Sequence, residues 1–192
     1  MAYALASFGI QEDPDRLTPF IGPPLIDSFM EFYHFDLPTA QKAVEKYREY
    51  FSQKGIFENR AFPGALPLLS QLKEAGKTVC LATSKPEVFA RQILEHFHMD
   101  GYFDEIVGSC LDGTHTKKGE VIGEVFARLG DACPDKACCV MVGDRLHDIH
   151  GAQENGLDSI GVTFGYGSVE ELTQAGSTHI AHSFEELAQI LG

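Results

Sequence analysis

The sequence has few basic residues. Fifteen Lys and Arg stand against 28 Asp and Glu, which gives a formal net charge of −13, and no Lys/Arg cluster offsets the acidic excess. Proteins that bind a nucleic-acid backbone concentrate positive charge on one face or along one helix. We therefore expect no nucleic-acid partner.

Membrane and export signals are also missing. No apolar run approaches the length of a membrane-spanning helix, and the first ten residues lack the basic start of a signal peptide. The five cysteines include no CxxC pair and lie largely in apolar runs, a pattern typical of reduced thiols. These absences predict a cytoplasmic protein with no membrane partner.

The chain otherwise has a globular composition, 44% hydrophobic and 22% charged, and can bury a core. In residues 1–60 the apolar positions recur at spacings of three and four, most clearly over residues 25–33 and 43–51. We predict no strand there. This part of the chain is expected to form a small helical domain.

From residue 61 onward, short apolar runs alternate with amphipathic segments. The pattern predicts strands at residues 78–82, 103–107, 137–142, 159–162 and 179–181, and helices at residues 65–75, 86–97, 117–129, 146–154, 169–174 and 184–191. Alternation of this kind is typical of an α/β domain with a parallel sheet and helices on both faces. We predict an α/β core over residues 61–192.

Ligands of open parallel sheets bind beyond the carboxyl ends of the strands. One such end is Thr83-Ser84, which follows an apolar run and precedes Pro86, a residue suited to the first turn of a helix. A hydroxyl and free backbone N–H groups there can bind phosphate. The alternative is that Thr83 or Ser84 only caps the helix.

A second such end carries two carboxylates. Asp144 follows the buried run 138–142 and Gly143, and Asp148 lies four positions later. If a helix begins near Arg145, both carboxylates can face one hard cation that prefers oxygen ligands. The alternative is a capping aspartate together with a surface aspartate.

Paired lysines, Lys117 and Lys118, begin another predicted helix. A helix N-terminus is already positive and favours anions, so a lysine there makes sense if it faces a phosphate or carboxylates. A solvated surface position remains the alternative for either lysine.

Taken in order, LATSKP, KKGEVI and VGDRLHD resemble motifs two, three and four of the haloacid dehalogenase superfamily. The segments SFGI, IGPPL, FPGALPLLSQLKEAG and GVTFGYGSVEEL further resemble its phosphoglycolate phosphatase-type members. The resemblance covers essentially the whole chain. It implies a Rossmann-like core, with residues 1–60 forming a small helical cap.

The resemblance also implies a function, namely magnesium-dependent hydrolysis of small phosphorylated metabolites through an aspartyl-phosphate. Thr83, Ser84 and Lys118 would bind the phosphoryl group, and Thr83 and Lys118 would act in catalysis. Asp144 would ligate Mg²⁺, and Asp148 would support the ion through water. Phosphoglycolate-like substrates lead, while a phosphomutase and a non-catalytic protein with a residual phosphate or metal site remain alternatives.

The family's nucleophilic aspartate belongs to a DxDGT motif on the first core strand, ahead of the cap, and the sequence contains no such motif. Residues 111–114 read LDGT, but Cys110 occupies the position of the first aspartate, so we place Asp112 in a loop. Without that strand, the edges of the strands ending at Thr83 and Gly143 should be unpaired. We expect them to pair directly or to accept a foreign segment, with self-association as one outcome.

Overall fold

The computed structural model describes residues 1–133 and 135–192. The chain divides into two compact units, Met1–Arg60 and Ala61–Gly192. None of the helices within the described residues has both the length and the apolar character needed to cross a membrane. None of the five cysteines, all of them described, forms a disulfide.

The first unit contains only helices among its regular elements, as predicted. These are α1 (Ala2–Ala6), a 3-10 helix (Pro14–Phe20), α2 (Leu25–Tyr33), α3 (Leu37–Phe51) and a 3-10 helix (Gly55–Phe57). Phe29 is fully buried and meets the edge of the Phe20 ring at 5.1 Å between centroids. Helix α3 begins where the Asp36 carboxylate accepts a hydrogen bond from the Thr39 N–H at 2.9 Å.

The second unit alternates strands and helices, which confirms the predicted α/β class. Its regular elements, apart from short 3-10 turns, are α4 (Ala65–Glu74), β1 (Cys80–Pro86), α5 (Glu87–His96), β2 (Glu105–Ser109), α6 (Lys118–Leu129), β3 (Val140–Gly143), α7 (Leu146–Glu154), β4 (Asp158–Val162), α8 (Val169–Gln174), β5 (His179–Ala181) and α9 (Phe184–Leu191).

The strands form two parallel sheets, in the order β1-β2 and β3-β4-β5. In the first, Cys80 lies opposite Glu105 and Thr83 opposite Gly108; in the second, Val140 lies opposite Asp158. Within the described residues β1 and β3 do not pair with one another, so direct pairing of these two edges, one of the expected outcomes, is not observed. Helices α6 and α7 pack together, with α6 on β1 and β2 and α7 on β3 and β4.

Three strands differ from the sequence predictions by two residues or more at one end at least. Strand β1 begins two residues late and runs on to Pro86, so α5 begins at Glu87. Strand β2 is displaced to Glu105–Ser109, because Asp104 pairs with Lys73 and accepts a hydrogen bond from the Val79 N–H. Ahead of β3, the Asp135 carboxylate accepts from the Ala137 N–H and stabilises a 3-10 turn where the sequence predicts strand.

Candidate functional site

Lys118 links the two sheets, because it contacts Ala82, next to the last regularly paired residue of β1, and Asp148 in the first turn of the helix that follows β3. Its Nζ donates to the Ala82 carbonyl oxygen at 2.8 Å and lies 2.9 Å from Oδ1 of Asp148. The Lys118 side chain is 12% exposed and that of Asp148 10% exposed. An ion pair this sheltered from water is screened little by salt. The ammonium therefore has a fixed position between a strand end and a helix start.

Close packing of α6 on α7 allows Lys118 to reach this position. A Cβ added at Gly151 of α7 would lie 2.7 Å from Cγ of Lys118 and 3.0 Å from the Gly119 nitrogen. Asn155 also joins the two helices, because its Nδ2 donates to the carbonyl oxygens of Gly119 in α6 and Gly151 in α7 at 2.9 Å each. The lysine stem thus runs through space that only glycine leaves open.

Asp148 is buried and its carboxylate is fully engaged. While Oδ1 meets Lys118, Oδ2 accepts hydrogen bonds from the backbone N–H groups of Asp144 and Arg145, each at 3.1 Å. Asp148 is thus the acidic residue in the first turn of α7 that binds back to the N-terminal amides. Gly143 allows this approach, because a Cβ there would overlap the Asp148 side chain.

Asp144 is held by the loop after β4, where the sequence indicates only a turn. Its Oδ2 accepts from the Tyr166 N–H at 2.8 Å, and its carbonyl oxygen accepts from the Gly167 N–H at 2.9 Å. Side chains at Gly165 or Gly167 would collide with Asp144. The repeated glycines of FGYG are the sequence signal for this contact, and sequence reasoning missed it.

The two aspartates have different surroundings. Oδ1 of Asp144 has no hydrogen-bond partner in the described part of the chain, whereas both oxygens of Asp148 do. No group of three or more His, Cys, Asp or Glu suited to a metal occurs among residues 1–133 and 135–192. Mg²⁺ commonly uses one or two carboxylates and fills the rest of its shell with water and substrate oxygens. The arrangement fits such an ion at Asp144, with Asp148 behind it.

Thr83 and Ser84 lie within β1, so the alternative that one of them caps α5 is wrong: the N-cap of α5 is Pro86. Oγ1 of Thr83 accepts a hydrogen bond from the Lys85 N–H at 3.2 Å, and the Ser84 carbonyl accepts one from the Ser109 hydroxyl at 2.8 Å. The Thr83 hydroxyl proton is therefore directed away from that amide and can donate to an anion.

A second ion pair supports the start of α7. Arg145 Nε lies 2.8 Å from Oε1 of Glu171, and the same oxygen accepts from the Leu146 N–H at 2.9 Å. Burial by itself would raise the pKa of the Glu171 carboxyl, but the hydrogen bonds from Arg145 and Leu146 outweigh it and lower that pKa. The pair joins α7 to α8 beside the site.

Two other sequence candidates lie apart from this cluster. Lys117 is exposed and is the N-cap residue of α6. Asp112 is exposed in a turn, where its Oδ1 accepts from the N–H and the hydroxyl of Thr114 at 2.9 and 2.7 Å. The prediction that Asp112 belongs to a loop is confirmed.

Known proteins are similar to this chain in both sequence and fold. The family model described as haloacid dehalogenase-like hydrolase matches residues 1–162. A 5'-nucleotidase from Pseudomonas aeruginosa is 47% identical over 190 residues, which cover 98% of this chain and 85% of the relative. A phosphoglycolate phosphatase from Vibrio parahaemolyticus is 30% identical over 151 residues, which cover 78% of this chain and 64% of the relative.

A crystal structure described as a predicted phosphatase from Clostridium acetobutylicum superposes with a TM-score of 0.95 at 48% identity. The match covers 99% of this chain and 87% of that one. The sequence similarity and the structural similarity indicate the same family. The chain belongs to the haloacid dehalogenase-like hydrolases, and phosphatases are among its relatives.

Proposed function

We propose that Thr83, Ser84, Lys118, Asp144 and Asp148 form part of the active site of a phosphatase that acts on a small phosphorylated metabolite in the cytoplasm. The observation that carries the proposal is the sheltered Lys118 ammonium, fixed between the Ala82 carbonyl oxygen of β1 and Asp148 at the start of α7. A buried cation has a large desolvation cost, which is offset when it faces a carboxylate and an incoming phosphate.

Each side chain has a distinct task in this proposal. Lys118 offsets negative charge that builds up as the phosphoryl group is transferred, because a pre-positioned cation needs no reorganisation. Thr83 donates its hydroxyl proton to a phosphoryl oxygen, since its Oγ1 already accepts from the Lys85 N–H. Ser84 supplies a further polar group beside it.

Magnesium is the cofactor we propose for this site. Asp144 would hold it through Oδ1, while Asp148 keeps Lys118 and the amides at the start of α7 in place. The ion would neutralise charge on the phosphoryl oxygens. With so few protein ligands we expect weak binding in the absence of phosphate, and a tight site in titration calorimetry would contradict this assignment.

The substrate class is a small phosphate monoester. Phosphoglycolate is the substrate suggested by the sequence motifs, and residues 1–60 would form the cap that selects it. The 47% identity to a 5'-nucleotidase, against 30% to a phosphoglycolate phosphatase, favours nucleoside 5'-monophosphates as the first compounds to test.

Turnover through an aspartyl-phosphate needs a carboxylate nucleophile. No DxDGT motif lies in the sequence, and Asp112 is in an exposed turn. We therefore expect little turnover from the 192-residue chain and restored turnover when a DxDGT strand is fused ahead of it.

The test is a phosphate-release screen with Mg²⁺ over nucleoside monophosphates, phosphoglycolate and other small monoesters, run on both proteins. In the fused protein, Lys118→Ala should lower kcat/KM by at least about 100-fold, because it removes charge compensation in the transition state. Lys117→Ala is the matched control, since Lys117 is exposed at the same helix start. Equal losses from both variants, or no turnover of any monoester, would reject the proposal.

A further inference from the structure

Tyr166 lies between two glycines in the loop that holds Asp144. Its backbone N–H donates to Oδ2 of Asp144 at 2.8 Å, and the next N–H, that of Gly167, donates to the Asp144 carbonyl oxygen at 2.9 Å. A Cβ added at Gly165 or Gly167 would overlap Asp144. The backbone of Tyr166 is therefore packed directly against the aspartate that we propose as the Mg²⁺ ligand, and its side chain starts from a fixed point.

The side chain of Tyr166 has no such fixed contact. Tyr166 is 54% exposed, and neither a hydrogen bond of its hydroxyl nor a contact with another ring occurs among residues 1–133 and 135–192. Phe164, two positions earlier, differs, since its ring centroid lies 4.3 Å from that of Phe184. Single exposed aromatic residues are common on protein surfaces, so exposure alone assigns no role. Packing nevertheless accounts for Phe164 and does not account for Tyr166.

The place of Tyr166 in the fold gives its ring a possible ligand. The carboxylate that accepts from its N–H belongs to the proposed site, together with Lys118. A phosphate monoester bound there would have its phosphate at Asp144 and Lys118 and its organic group outside them. Because the Tyr166 side chain is exposed and begins beside Asp144, it is placed to contact that organic group.

The charges beside the loop favour a neutral organic group. A Cβ added at Gly167 would lie 3.4 Å from Oε1 of Glu171, so the Glu171 carboxylate is next to the loop. The neighbouring cation, Arg145, already pairs with this same oxygen at 2.8 Å. An anionic group such as the carboxylate of phosphoglycolate would be repelled by Glu171, whereas a neutral planar group would not.

We propose that Tyr166 is a specificity-determining residue whose ring stacks on a planar aromatic group of the phosphate monoester, with a nucleobase as the leading example. Aromatic side chains bind flat π systems by offset stacking, and the contact tolerates different bases because every base has a π face. The inference rests on the proposed function, because the phosphate must be held at Lys118 and Asp144 for the ring to select what it carries.

The absence of tryptophan from the chain allows a direct binding test. Tyr166→Trp introduces a single indole into the loop. Tyr102→Trp is the matched control, because Tyr102 lies ahead of β2, at the opposite end of the sheet from Thr83. With Mg²⁺ present, adenosine 5'-monophosphate should quench the fluorescence of Tyr166→Trp in a saturable manner and should not quench that of the control. Ribose 5-phosphate, which lacks the base, should not quench but should reverse the quenching by competition.

Kinetics of the fused protein provide a second test. The quantity is the ratio of kcat/KM for adenosine 5'-monophosphate to kcat/KM for ribose 5-phosphate, because a general disturbance of the loop lowers both values alike. Tyr166→Ala should lower this ratio by about 10-fold through the loss of one stacked base. Tyr166→Phe keeps the ring and should retain the ratio within about 2-fold, as should Tyr102→Ala.

The proposal is overturned if adenosine 5'-monophosphate causes no saturable quenching, or if ribose 5-phosphate quenches equally. An unchanged ratio in Tyr166→Ala would also overturn it, and so would loss of the ratio in Tyr166→Phe, which would assign the role to the hydroxyl. Each of these results leaves the phosphatase proposal intact when both substrates are hydrolysed. Absence of turnover from every monoester would reject the phosphatase proposal instead, and the quenching experiment, which needs no turnover, would still decide the role of Tyr166.

Discussion

The Lys118–Asp148 pair should couple strongly in the folding free energy, and a double-mutant cycle can measure that coupling. The variants are Lys118→Met, Asp148→Asn and the double substitution. Lys118→Met removes the ammonium and leaves the Asp148 carboxylate buried with only two backbone N–H donors. Asp148→Asn removes the negative charge beside the Lys118 ammonium and replaces one carboxylate oxygen with an NH2 donor.

The magnitude follows from the geometry. At the observed 2.9 Å, an effective dielectric constant of about 20 gives an attraction of roughly 6 kcal/mol. Desolvation of two largely buried charges opposes most of this. We expect about 2–4 kcal/mol lost for Lys118→Met, about 1–3 kcal/mol for Asp148→Asn, and a coupling energy of about 1–3 kcal/mol.

Urea unfolding followed by circular dichroism, with equal m-values across the set, provides the four free energies. Lys117→Met is the matched control and should stay within about 0.5 kcal/mol of the parent, because Lys117 is exposed. A coupling energy below about 0.5 kcal/mol would show that the pair does not determine the position of Lys118. Lys118 would then not have a fixed position between β1 and α7.

Three further outcomes test the surroundings of the site. Gly151→Ala should lower the melting temperature and displace the site lysine, because its Cβ meets side chain and backbone of α6 at 2.7–3.0 Å, whereas Gly123→Ala, with 3.7 Å to its nearest neighbour, should be neutral or stabilising. Glu171→Gln should cost about 1 kcal/mol at neutral pH in thermal melts. Since the folded carboxyl has a pKa below its ordinary 4.5, this advantage is present above pH 4.5 and should vanish as the pH falls through the folded pKa; a gap unchanged by acid would contradict it. Gly165→Ala should displace the Asp144 carboxylate and so weaken Mg²⁺ binding as measured by calorimetry. Gly101→Ala, with open space around the added Cβ, should leave that binding unchanged.

The sequence by itself determined the class of the fold and the approximate place of each element. Periodicity in residues 25–33 and 43–51 corresponds to α2 and α3, and the predicted segments 146–154, 169–174 and 184–191 coincide with α7, α8 and α9. Local signals suffice there, because an amphipathic helix is encoded by neighbours three and four positions apart. The order of the three motifs also sufficed to indicate the family.

Strand ends were harder to predict because contacts distant in sequence decide them. Asp104 ends its loop by binding Lys73, which lies 31 positions earlier, and β1 passes Thr83 without a turn because Gly108 lets the Lys85 carbonyl approach. Neither contact has a local signature. The site roles of Thr83, Ser84, Lys118 and Asp144 also have no local signature, and they remain predictions.

Tertiary structure decided which groups meet at the strand ends. Lys118 reaches Asp148 because Gly151 leaves room for its side chain. Asp144 accepts a hydrogen bond from the N–H of Tyr166, in a glycine-containing loop 22 positions away. The separation of β1 from β3 is likewise a property of tertiary packing, in which α6 lies on β1 and β2 while α7 lies on β3 and β4. Sequence spacing records which residues are available, but only the packed helices fix the distances between charges on which the proposed chemistry depends.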